Sequence, residues 1–283
     1  MTAPSEPIDL GGARVRLLDG GRFRLDGGAM FGIIPKPLWT RATTSDDRNR
    51  IQLGANCLLV ESGARRIVVE VGLGDKYADK ERDIYAIAPG RWLAPSLEAV
   101  GIEPGSITDV VQTHLHFDHA GGLTRERDGA LTPTFPNAVV HVQRQEFDDA
   151  RRNFGIMNIT YRAENFDPIS AAQRWNLLEG DGPIVDRLRA IVTPGHTRAH
   201  QSIVIEGADR TLCFSGDVLP TLAHAGPAWN MAYDLFPLDN RASKQRLLDA
   251  ASRADWLLAL GHEPNTPLAR VVVDGKWFRV EAL

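Results

Sequence analysis

The chain has 283 residues, of which 43% are hydrophobic and 24% charged, and its formal net charge is -4. This length and composition are ordinary for a soluble globular protein with a substantial core, and we predict a single domain over residues 1–283. The slightly negative net charge argues against nucleic-acid binding, which needs clustered lysine and arginine. Because no apolar run approaches the length needed to cross a bilayer, no membrane partner is expected.

The N-terminus and the two cysteines bear on where the protein resides. Residues 1–8 have neither a basic start nor an apolar core, so we predict a frayed arm and no signal peptide. Cys57 and Cys213 lie far apart, each within an apolar run, which favours buried free thiols over a disulfide. Together these features predict a cytoplasmic protein.

The N-terminal part is predicted to consist mainly of strands. Residues 15–25 have the pattern of a hairpin that turns at a central Asp-Gly-Gly. Two consecutive strands are predicted at residues 56–61 and 66–71, where β-branched residues are frequent. Between the hairpin and the first of these strands, residues 29–39 are apolar but contain two prolines and a glycine, which exclude a regular helix. This stretch must be buried against the core, a substrate or a partner.

The remainder of the chain is predicted to alternate strands with helices. Strands are predicted at residues 107–112, 139–142, 188–193, 210–215 and 256–260. Helices are predicted at residues 93–100, 143–153 and 240–254, and the last is a surface helix to which we assign no functional role. Residues 154–176 contain aromatic side chains without a clear period, so a loop or lid is predicted there.

A dense group of potential metal ligands follows the strand predicted at residues 107–112. The next ten residues read Thr-His-Leu-His-Phe-Asp-His-Ala-Gly-Gly, and they supply His114, His116, Asp118 and His119. Neutral imidazoles and carboxylates are the ligands that first-row divalent metals prefer. Side chains two apart on an extended chain point to the same side. The first three candidates are therefore expected to converge on one point, while His119 is aimed elsewhere.

Three further candidates, His196, Asp217 and His262, each follow a predicted strand and a glycine. Glycine permits a sharp departure from the strand, and loops at strand ends commonly build the active sites of layered α/β folds. Seven candidates are too many for one tetrahedral zinc ion but suit two ions about 3.5–4 Å apart. We expect two zinc ions, and manganese, cobalt or iron would accept the same ligands. The absence of a cysteine ligand favours a catalytic over a structural site.

The complete set of candidates resembles the ligand pattern of the metallo-β-lactamase superfamily, and the resemblance extends from about residue 56 onward. It implies an α/β fold of the αββα sandwich type, with two face-to-face β-sheets flanked by helices. It also implies two metal ions bridged by Asp217. One ion would be held by His114, His116 and His196, and the other by Asp118, His119 and His262.

Within this superfamily, residues 26–39 and 217–234 are similar to quorum-quenching N-acyl-homoserine lactone lactonases. The resemblance implies that a metal-bridging hydroxide opens the lactone ring and that Asp118 is catalytic, passing a proton to the leaving alkoxide. It places residues 27–50, an N-terminal extension, near the substrate pocket or in the contact of a homodimer. The predicted pocket residues are Met30, Phe31, Trp39, His224, Trp229 and Tyr233.

Two departures from the lactonase pattern leave alternatives open. Pro220 stands where many such lactonases have a tyrosine, which leaves Tyr233 as a substitute, and Glu-Val-Gly at residues 70–72 replaces the usual Asp-Thr-Gly. Methyl-parathion-hydrolase-like enzymes also lack the tyrosine. An organophosphate triesterase or aryl esterase is therefore an alternative, as is a glyoxalase-II-like thioesterase. Of the remaining histidines, His200 is predicted to donate a supporting hydrogen bond and His141 to be structural.

Overall fold

The computed structural model describes residues 6–154 and 160–283, which contain sixteen strands. In chain order they are β1 (Ile8–Asp9), β2 (Arg14–Asp26), β3 (Arg50–Ser62), β4 (Arg65–Val69), β5 (Asp109–Val111), β6 (Thr124–Arg127), β7 (Ala130–Pro133), β8 (Val139–Gln143), β9 (Trp175–Leu178), β10 (Gly182–Val185), β11 (Leu188–Val192), β12 (Gln201–Glu206), β13 (Thr211–Phe214), β14 (Leu257–Ala259), β15 (Leu268–Asp274) and β16 (Trp277–Ala282). One seven-stranded sheet has the order β1-β2-β3-β4-β5-β8-β9, and the other runs from β10 to β16 in sequence order. Strands β6 and β7 form a separate hairpin.

Eight α-helices connect or cover these strands in the described part of the chain. They are α1 (Gly27–Phe31), α2 (Lys36–Trp39), α3 (Asp79–Tyr85), α4 (Leu93–Glu98), α5 (Phe117–Ala120), α6 (Arg144–Arg152), α7 (Ala163–Ala171) and α8 (Pro237–Arg253). The strands predicted to begin at residues 107, 139, 188, 210 and 256 are confirmed as β5, β8, β11, β13 and β14. The helices predicted to begin at residues 93, 143 and 240 are confirmed as α4, α6 and α8.

The layers are separated by alternating apolar side chains. Leu58 and Val60 of β3 share a buried cluster with Phe214 of β13, so this cluster lies between the two sheets. Leu59 points to the opposite face of β3 and packs in a cluster with residues of α4, α6 and α7. This is the period of two expected for a strand that is buried on both faces. Leu247 of α8 covers the outer face of the second sheet, which confirms the predicted αββα sandwich.

The predicted hairpin at residues 15–25 is wrong. These residues belong to the single strand β2, which pairs with β3 along its whole length, with a register shift between Asp19 and Arg22. Asp19 Oδ1 accepts a hydrogen bond from the N–H of Gly21 at 3.0 Å, and Gly21 has a φ of 134°. The Asp-Gly-Gly sequence therefore makes a β-bulge instead of a chain reversal.

The N-terminal extension contains short helices where none was predicted. Helix α1 is capped by Asp26, whose Oδ1 accepts the N–H of Ala29 at 2.8 Å. Helix α2 tolerates Pro37 because this residue lies in its first turn, where the missing N–H has no helical partner to lose. The prediction that no regular helix forms at residues 29–39 is therefore wrong, although the prolines and the glycine limit each helix to about one turn.

The predicted loop at residues 154–176 is wrong in part. Residues 163–171 form α7, whose buried residues include Phe166 and Ile169. The internal Pro168 shortens and interrupts the apolar pattern of this helix, which explains why no period was visible in the sequence. Residues 155–159, at the start of the predicted loop or lid, lie outside the described residues.

The N-terminal arm, the two cysteines and the membrane-span prediction agree more closely with the structure. The predicted frayed arm overlaps the sheet at its last residue, since Ile8 pairs with Val15, and residues 1–5 lie outside the described part. Cys57 and Cys213 are buried free thiols, as predicted, and burial raises the pKa of Cys213 to about 12. Across the described residues, the structure has no helix with the length and apolar character of a membrane span.

Candidate metal centre

The seven candidate ligands meet at one edge of the sandwich. Strands β4 and β5 are parallel neighbours in the first sheet, as are β13 and β14 in the second, so the carboxyl ends of each pair lie side by side. The segment after β5 carries residues 114–119, and the segments after β13 and β14 carry Asp217 and His262. His196 lies in the loop between β11 and β12. All seven side chains are buried.

The ligand atoms form two groups with Asp217 between them. In each group they lie within 4.8 Å of one another: one consists of His114, His116 and His196, and the other of Asp118, His119 and His262. A third set, His114, His119 and Asp217, is equally close and spans the two groups. Asp217 Oδ1 is 3.3 Å from His119 Nε2 and 3.1 Å from His262 Nε2. Asp217 Oδ2 is 3.3 Å from His196 Nε2. This division agrees with the one that the family resemblance implies.

The expected convergence of His114 and His116 is confirmed, but the expectation that Asp118 joins them and that His119 is aimed elsewhere is wrong. A helical turn follows His116, whose carbonyl accepts hydrogen bonds from the N–H groups of His119 at 3.1 Å and Ala120 at 2.8 Å. The turn places Asp118 with His119 and His262 and away from the two preceding histidines. Alternation with a period of two holds only for extended backbone, and the helical turn begins within the motif.

The unpartnered atoms of this cluster fit a cation. His114 Nε2 and Asp217 Oδ1 are buried and have no hydrogen-bond partner, although buried polar atoms normally have one. His119 Nε2 and His262 Nε2 lie 3.1 Å apart with Asp217 Oδ1 beside both. Histidine nitrogens and carboxylate oxygens converging in this way are a donor set suited to divalent first-row metals.

The electrostatics of the cluster agree with such an ion. Burial opposes the charged form of His119 and His262, but the nearby carboxylates, of which Asp217 contributes most, together outweigh it and raise the pKa of both. Burial and the neighbouring histidines hold the pKa of His114 and His116 well below the usual range. His114 and His116 therefore stay neutral, the form that coordinates metal, whereas Asp217 and the neighbouring carboxylates favour positive charge at His119, His196 and His262, as they would favour a bound cation.

Three candidate histidines are oriented through their second ring nitrogen. The contacts are His119 Nδ1 to Glu70 Oε2 at 2.9 Å, His196 Nδ1 to Asp234 Oδ1 at 3.0 Å, and His262 Nδ1 to the carbonyl of Gly54 at 2.7 Å. Each contact fixes the tautomer with the proton on Nδ1 and leaves Nε2 for a metal. Sequence reasoning missed Asp234, and it treated Glu70 only as a departure from the usual Asp-Thr-Gly.

His200 supports Asp217, as predicted, but as a hydrogen-bond acceptor. Its Nε2 accepts the backbone N–H of Asp217 at 2.9 Å, and its Nδ1 bonds to Thr193 Oγ1 at 2.8 Å. Burial, with a contribution from His196, lowers the pKa of His200 to about 3, so the ring is neutral. A Cβ on Gly216 would lie 2.5 Å from His200 Nε2, which explains why glycine precedes Asp217.

The predicted pocket residues form a mostly aromatic cluster, which also contains Phe117 from the segment of the candidate ligands. Phe31 stacks on Trp39 and on His224, with ring centroids 5.3 and 5.0 Å apart, and it meets Trp229 edge-on at 5.7 Å. Trp229 and Tyr233 are partly exposed, whereas the other four are buried. Phe31 also lines a cavity of about 290 Å³. Contact of these side chains with a substrate stays a prediction.

His224 is expected to make stability depend on pH. Its Nε2–H donates to the carbonyl of Met30 at 2.9 Å, and its Nδ1 accepts from the Thr221 hydroxyl at 2.7 Å. Burial lowers the pKa of His224 from its ordinary 6.5 to about 4. The unfolded chain therefore binds the proton more readily, and the free energy of unfolding should fall as pH drops through this range, by up to about 3 kcal/mol.

The measurement is denaturant unfolding of the wild type and of His224→Gln, at neutral pH and near the folded pKa of His224. Glutamine can still donate to Met30 and accept from Thr221, but it does not titrate. The loss of unfolding free energy on acidification should be smaller in the variant. Equal losses of unfolding free energy in the two proteins would contradict the prediction that protonation of His224 destabilises the folded state.

Comparison with known sequences identifies relatives. The family model described as the metallo-beta-lactamase superfamily matches residues 50–262. The chain is 29% identical over 180 residues to the N-acyl homoserine lactonase AttM of Rhizobium radiobacter, a match that covers 60% of this chain and 63% of that protein. The similarity thus spans less than two thirds of the length of this relative.

Solved structures share the fold over nearly the whole chain. A probable metal-dependent hydrolase from Staphylococcus aureus is 27% identical, with a TM-score of 0.89, over 98% of this chain and 99% of its own. AidC, described as a dizinc quorum-quenching lactonase, is 19% identical, with a TM-score of 0.81, over 100% of this chain and 99% of its own. At 19% identity, the likeness to AidC shows only that the two proteins share a fold. Since the family model covers more than half of the chain and the fold agrees, this protein belongs to the metallo-beta-lactamase superfamily.

Proposed function

We propose that the protein is a binuclear metal-dependent hydrolase that opens the lactone ring of N-acyl-homoserine lactones. The observation that carries the proposal is the convergence of seven buried histidines and aspartates in two groups joined by Asp217. The lactonase names of AttM and AidC support the substrate class.

The two groups would each hold one divalent ion, which we propose to be zinc, with manganese, cobalt or iron as other occupants. His114, His116 and His196 would hold the first ion and Asp118, His119 and His262 the second, with Asp217 contributing to both. Bound there, the ions would supply a nucleophile from water at neutral pH and an electrophile for the carbonyl oxygen. The surrounding residues would orient these side chains, and one of the seven would transfer a proton.

Asp118 is the residue that we propose to move a proton. Its Oδ2 lies 3.5 Å from His262 Nε2 and 3.9 Å from His119 Nε2, so its carboxylate faces the second group. A carboxylate there can take a proton released at the reacting centre and deliver it to the alkoxide oxygen that leaves when the ring opens. An alkoxide needs this help because its conjugate acid is weak.

The aromatic cluster would recognise the acyl part of the substrate. The 290 Å³ cavity has an apolar side that includes Phe31 and Leu222 and a polar side that includes Gln52 and Glu263. The apolar side would suit an acyl chain. Burial raises the pKa of Tyr233, and the carboxylates of Asp26 and Asp118 raise it further. Its phenol stays protonated and could donate a hydrogen bond to a substrate, and we propose Tyr233 as the substitute for the tyrosine absent at position 220.

A second candidate function is hydrolysis of organophosphate triesters or aryl esters. The observation in its favour is Pro220, which is buried and whose carbonyl accepts the N–H of His262 at 2.9 Å. This position supports a candidate ligand through its backbone but offers no hydroxyl to orient a lactone. A less oriented site would accept larger substrates.

The test is a panel of acyl-homoserine lactones of several chain lengths, thioesters and phosphotriesters, assayed on zinc-, manganese- and cobalt-loaded protein. We expect the highest kcat/KM for a lactone, with loss of activity on chelation and recovery on adding metal. A ratio that favours paraoxon-like esters would replace the first candidate by the second. Hydrolysis of thioesters alone would favour the glyoxalase-II-like alternative.

Asp234 is expected to tune the first metal site through His196. Its carboxylate also accepts the amide of Asn240 at 2.7 Å and the N–H of Met231 at 3.0 Å, so it is firmly placed. Asp234→Asn removes the charge and is expected to weaken metal binding by roughly 10–100-fold, as for other partners of ligating histidines. Competition with a chromophoric chelator measures this. Asp239→Asn, an exposed acid on α8, is the control, and equal metal affinities in both variants would refute the role.

The remaining predictions concern the protein as a whole. A homodimer contact through residues 27–50, a cytoplasmic location, a single domain and the absence of nucleic-acid partners stay predictions. Size-exclusion chromatography with light scattering would measure the oligomeric state directly.

A further inference from the structure

Glu146 is a buried carboxylate that is not among the candidate ligands. It lies in the first turn of α6 and has no exposed surface. Its Oε1 accepts the backbone N–H of Leu115 at 3.0 Å and the hydroxyl of Tyr161 at 3.0 Å. Its Oε2 accepts the hydroxyl of Thr197 at 2.6 Å. One side chain thus joins three segments that are remote in sequence.

Each of these three partners adjoins a histidine of the first group. Leu115 lies between His114 and His116 in the chain, and Thr197 directly follows His196. The ring of Tyr161 packs against the ring of His116, with centroids 4.9 Å apart. Glu146 therefore connects the loop after β5 with the loop between β11 and β12, and these two loops carry the whole first group.

The second group has further supports of its own, although Asp118 and His119 follow His116 in the same segment after β5. His119 is held by Glu70, and His262 by the carbonyl of Gly54. Neither contact involves Glu146. Hydrogen bonds to a carboxylate are short and strong, and a donor left buried without its acceptor is costly. Loss of Glu146 should therefore disturb the first group more than the second.

We propose that Glu146 is a positioning residue that fixes the loop of His114 and His116 against the loop of His196 and so preorganises the first metal group. The inference rests on the proposed function, because it gives Glu146 a task only if the three histidines hold an ion. It adds a residue that does not touch the metal and that acts through backbone and hydroxyl contacts.

The experiment is a zinc titration of metal-free protein against a chromophoric chelator, which resolves two stepwise dissociation constants. Glu146→Gln is expected to weaken one of the two sites by roughly 10–100-fold and to leave the other nearly unchanged. The weakened site is assigned by comparison with His116→Ala, which removes a candidate ligand of the first group. Because the titration reports binding, its result does not depend on turnover.

Asp149→Asn is the matched control. Asp149 is one turn further along α6, is equally buried, and pairs with Arg198 at 3.1 Å on the same loop as Thr197. Its loss should lower the melting temperature without selective weakening of either zinc site. If Glu146→Gln fails to fold, Thr197→Val and Tyr161→Phe each remove one donor and should weaken the first site to a smaller extent.

The possible outcomes are distinct. Selective weakening of the first site supports the positioning role. Equal weakening of both sites, or zinc affinities in the Glu146 and Thr197 variants that match those of Asp149→Asn, would overturn it while leaving the binuclear centre intact. A wild-type protein that binds fewer than two zinc ions would refute the proposed function and this inference with it.

Discussion

Asp217→Asn is expected to lower kcat/KM for acyl-homoserine lactones by more than the roughly 10–100-fold typical of losing a partner of a metal ligand. The number of bound metal ions should also fall below two per chain. Asp217 contacts both groups, through Oδ1 to His119 and His262 and through Oδ2 to His196. An amide keeps the volume but offers one oxygen and no charge, so it cannot serve both ions. Metal analysis and steady-state kinetics measure the two effects.

Asp109→Asn is the control for this variant. Asp109 is also a buried aspartate, and its Oδ1 accepts a hydrogen bond from His141 Nε2 at 2.9 Å, at the start of β5 and away from the ligand-bearing edge. His141 also bonds to Asn176 at 2.9 Å, in agreement with its predicted structural role. The control should lose stability and keep both metals. Two metal ions and full activity in Asp217→Asn would show that Asp217 does not join the two groups.

Asp118→Asn is expected to have an effect that depends on the leaving group. An amide oxygen can still coordinate weakly but cannot carry a proton. For a lactone, whose leaving group is an alkoxide, we expect a loss on the order of 10²–10⁴-fold, the usual contribution of proton transfer. For a p-nitrophenyl ester the loss should be much smaller, because p-nitrophenolate leaves without protonation.

The comparison requires that both metals remain bound. Metal content is therefore measured on the same preparation, and His116→Ala provides the contrast, since loss of a first-group ligand should reduce turnover of both substrates alike. Equal losses for the two leaving groups in Asp118→Asn, with two metals retained, would show that Asp118 orients or binds metal without moving the proton.

The candidate ligands could be found in the sequence because their signal is local. His196, Asp217 and His262 each follow a strand and a glycine, and the strands are short apolar runs that can be recognised individually. Parallel pairing of β13 with β14 then brings two of the three together. The layer arrangement was expected only through the family resemblance, since alternating strands and helices are compatible with several α/β folds.

The supporting residues could not be found in this way, because their roles arise from contacts between remote segments. Asp234 lies 38 residues from His196, and Glu70 lies 49 residues from His119. Nothing in the local sequence distinguishes either acid from a surface carboxylate. The same limit applies to Asn240. Helix α8 was predicted correctly, but the amphipathic pattern of the helix does not reveal that Asn240, in its first turn, donates a hydrogen bond to Asp234 and holds it in place.

The errors in local structure have a common physical origin. Asp-Gly-Gly at residues 19–21 permits both a turn and a bulge, and the choice is made by the partner strand β3, which continues past it. Within residues 114–119, side-chain alternation was assumed, but hydrogen bonds to the carbonyl of His116 start a helical turn. In both cases the local sequence allows more than one backbone conformation, and the residue pattern alone does not select between them.

The measurement that tests the central claim most directly is the initial rate of acyl-homoserine lactone hydrolysis as zinc is added stepwise to metal-free protein. A binuclear hydrolase built from these seven residues should show little activity without metal and reach a plateau at two equivalents of bound zinc per chain. Full activity without metal, or two bound equivalents with no hydrolysis of any acyl-homoserine lactone, would contradict it.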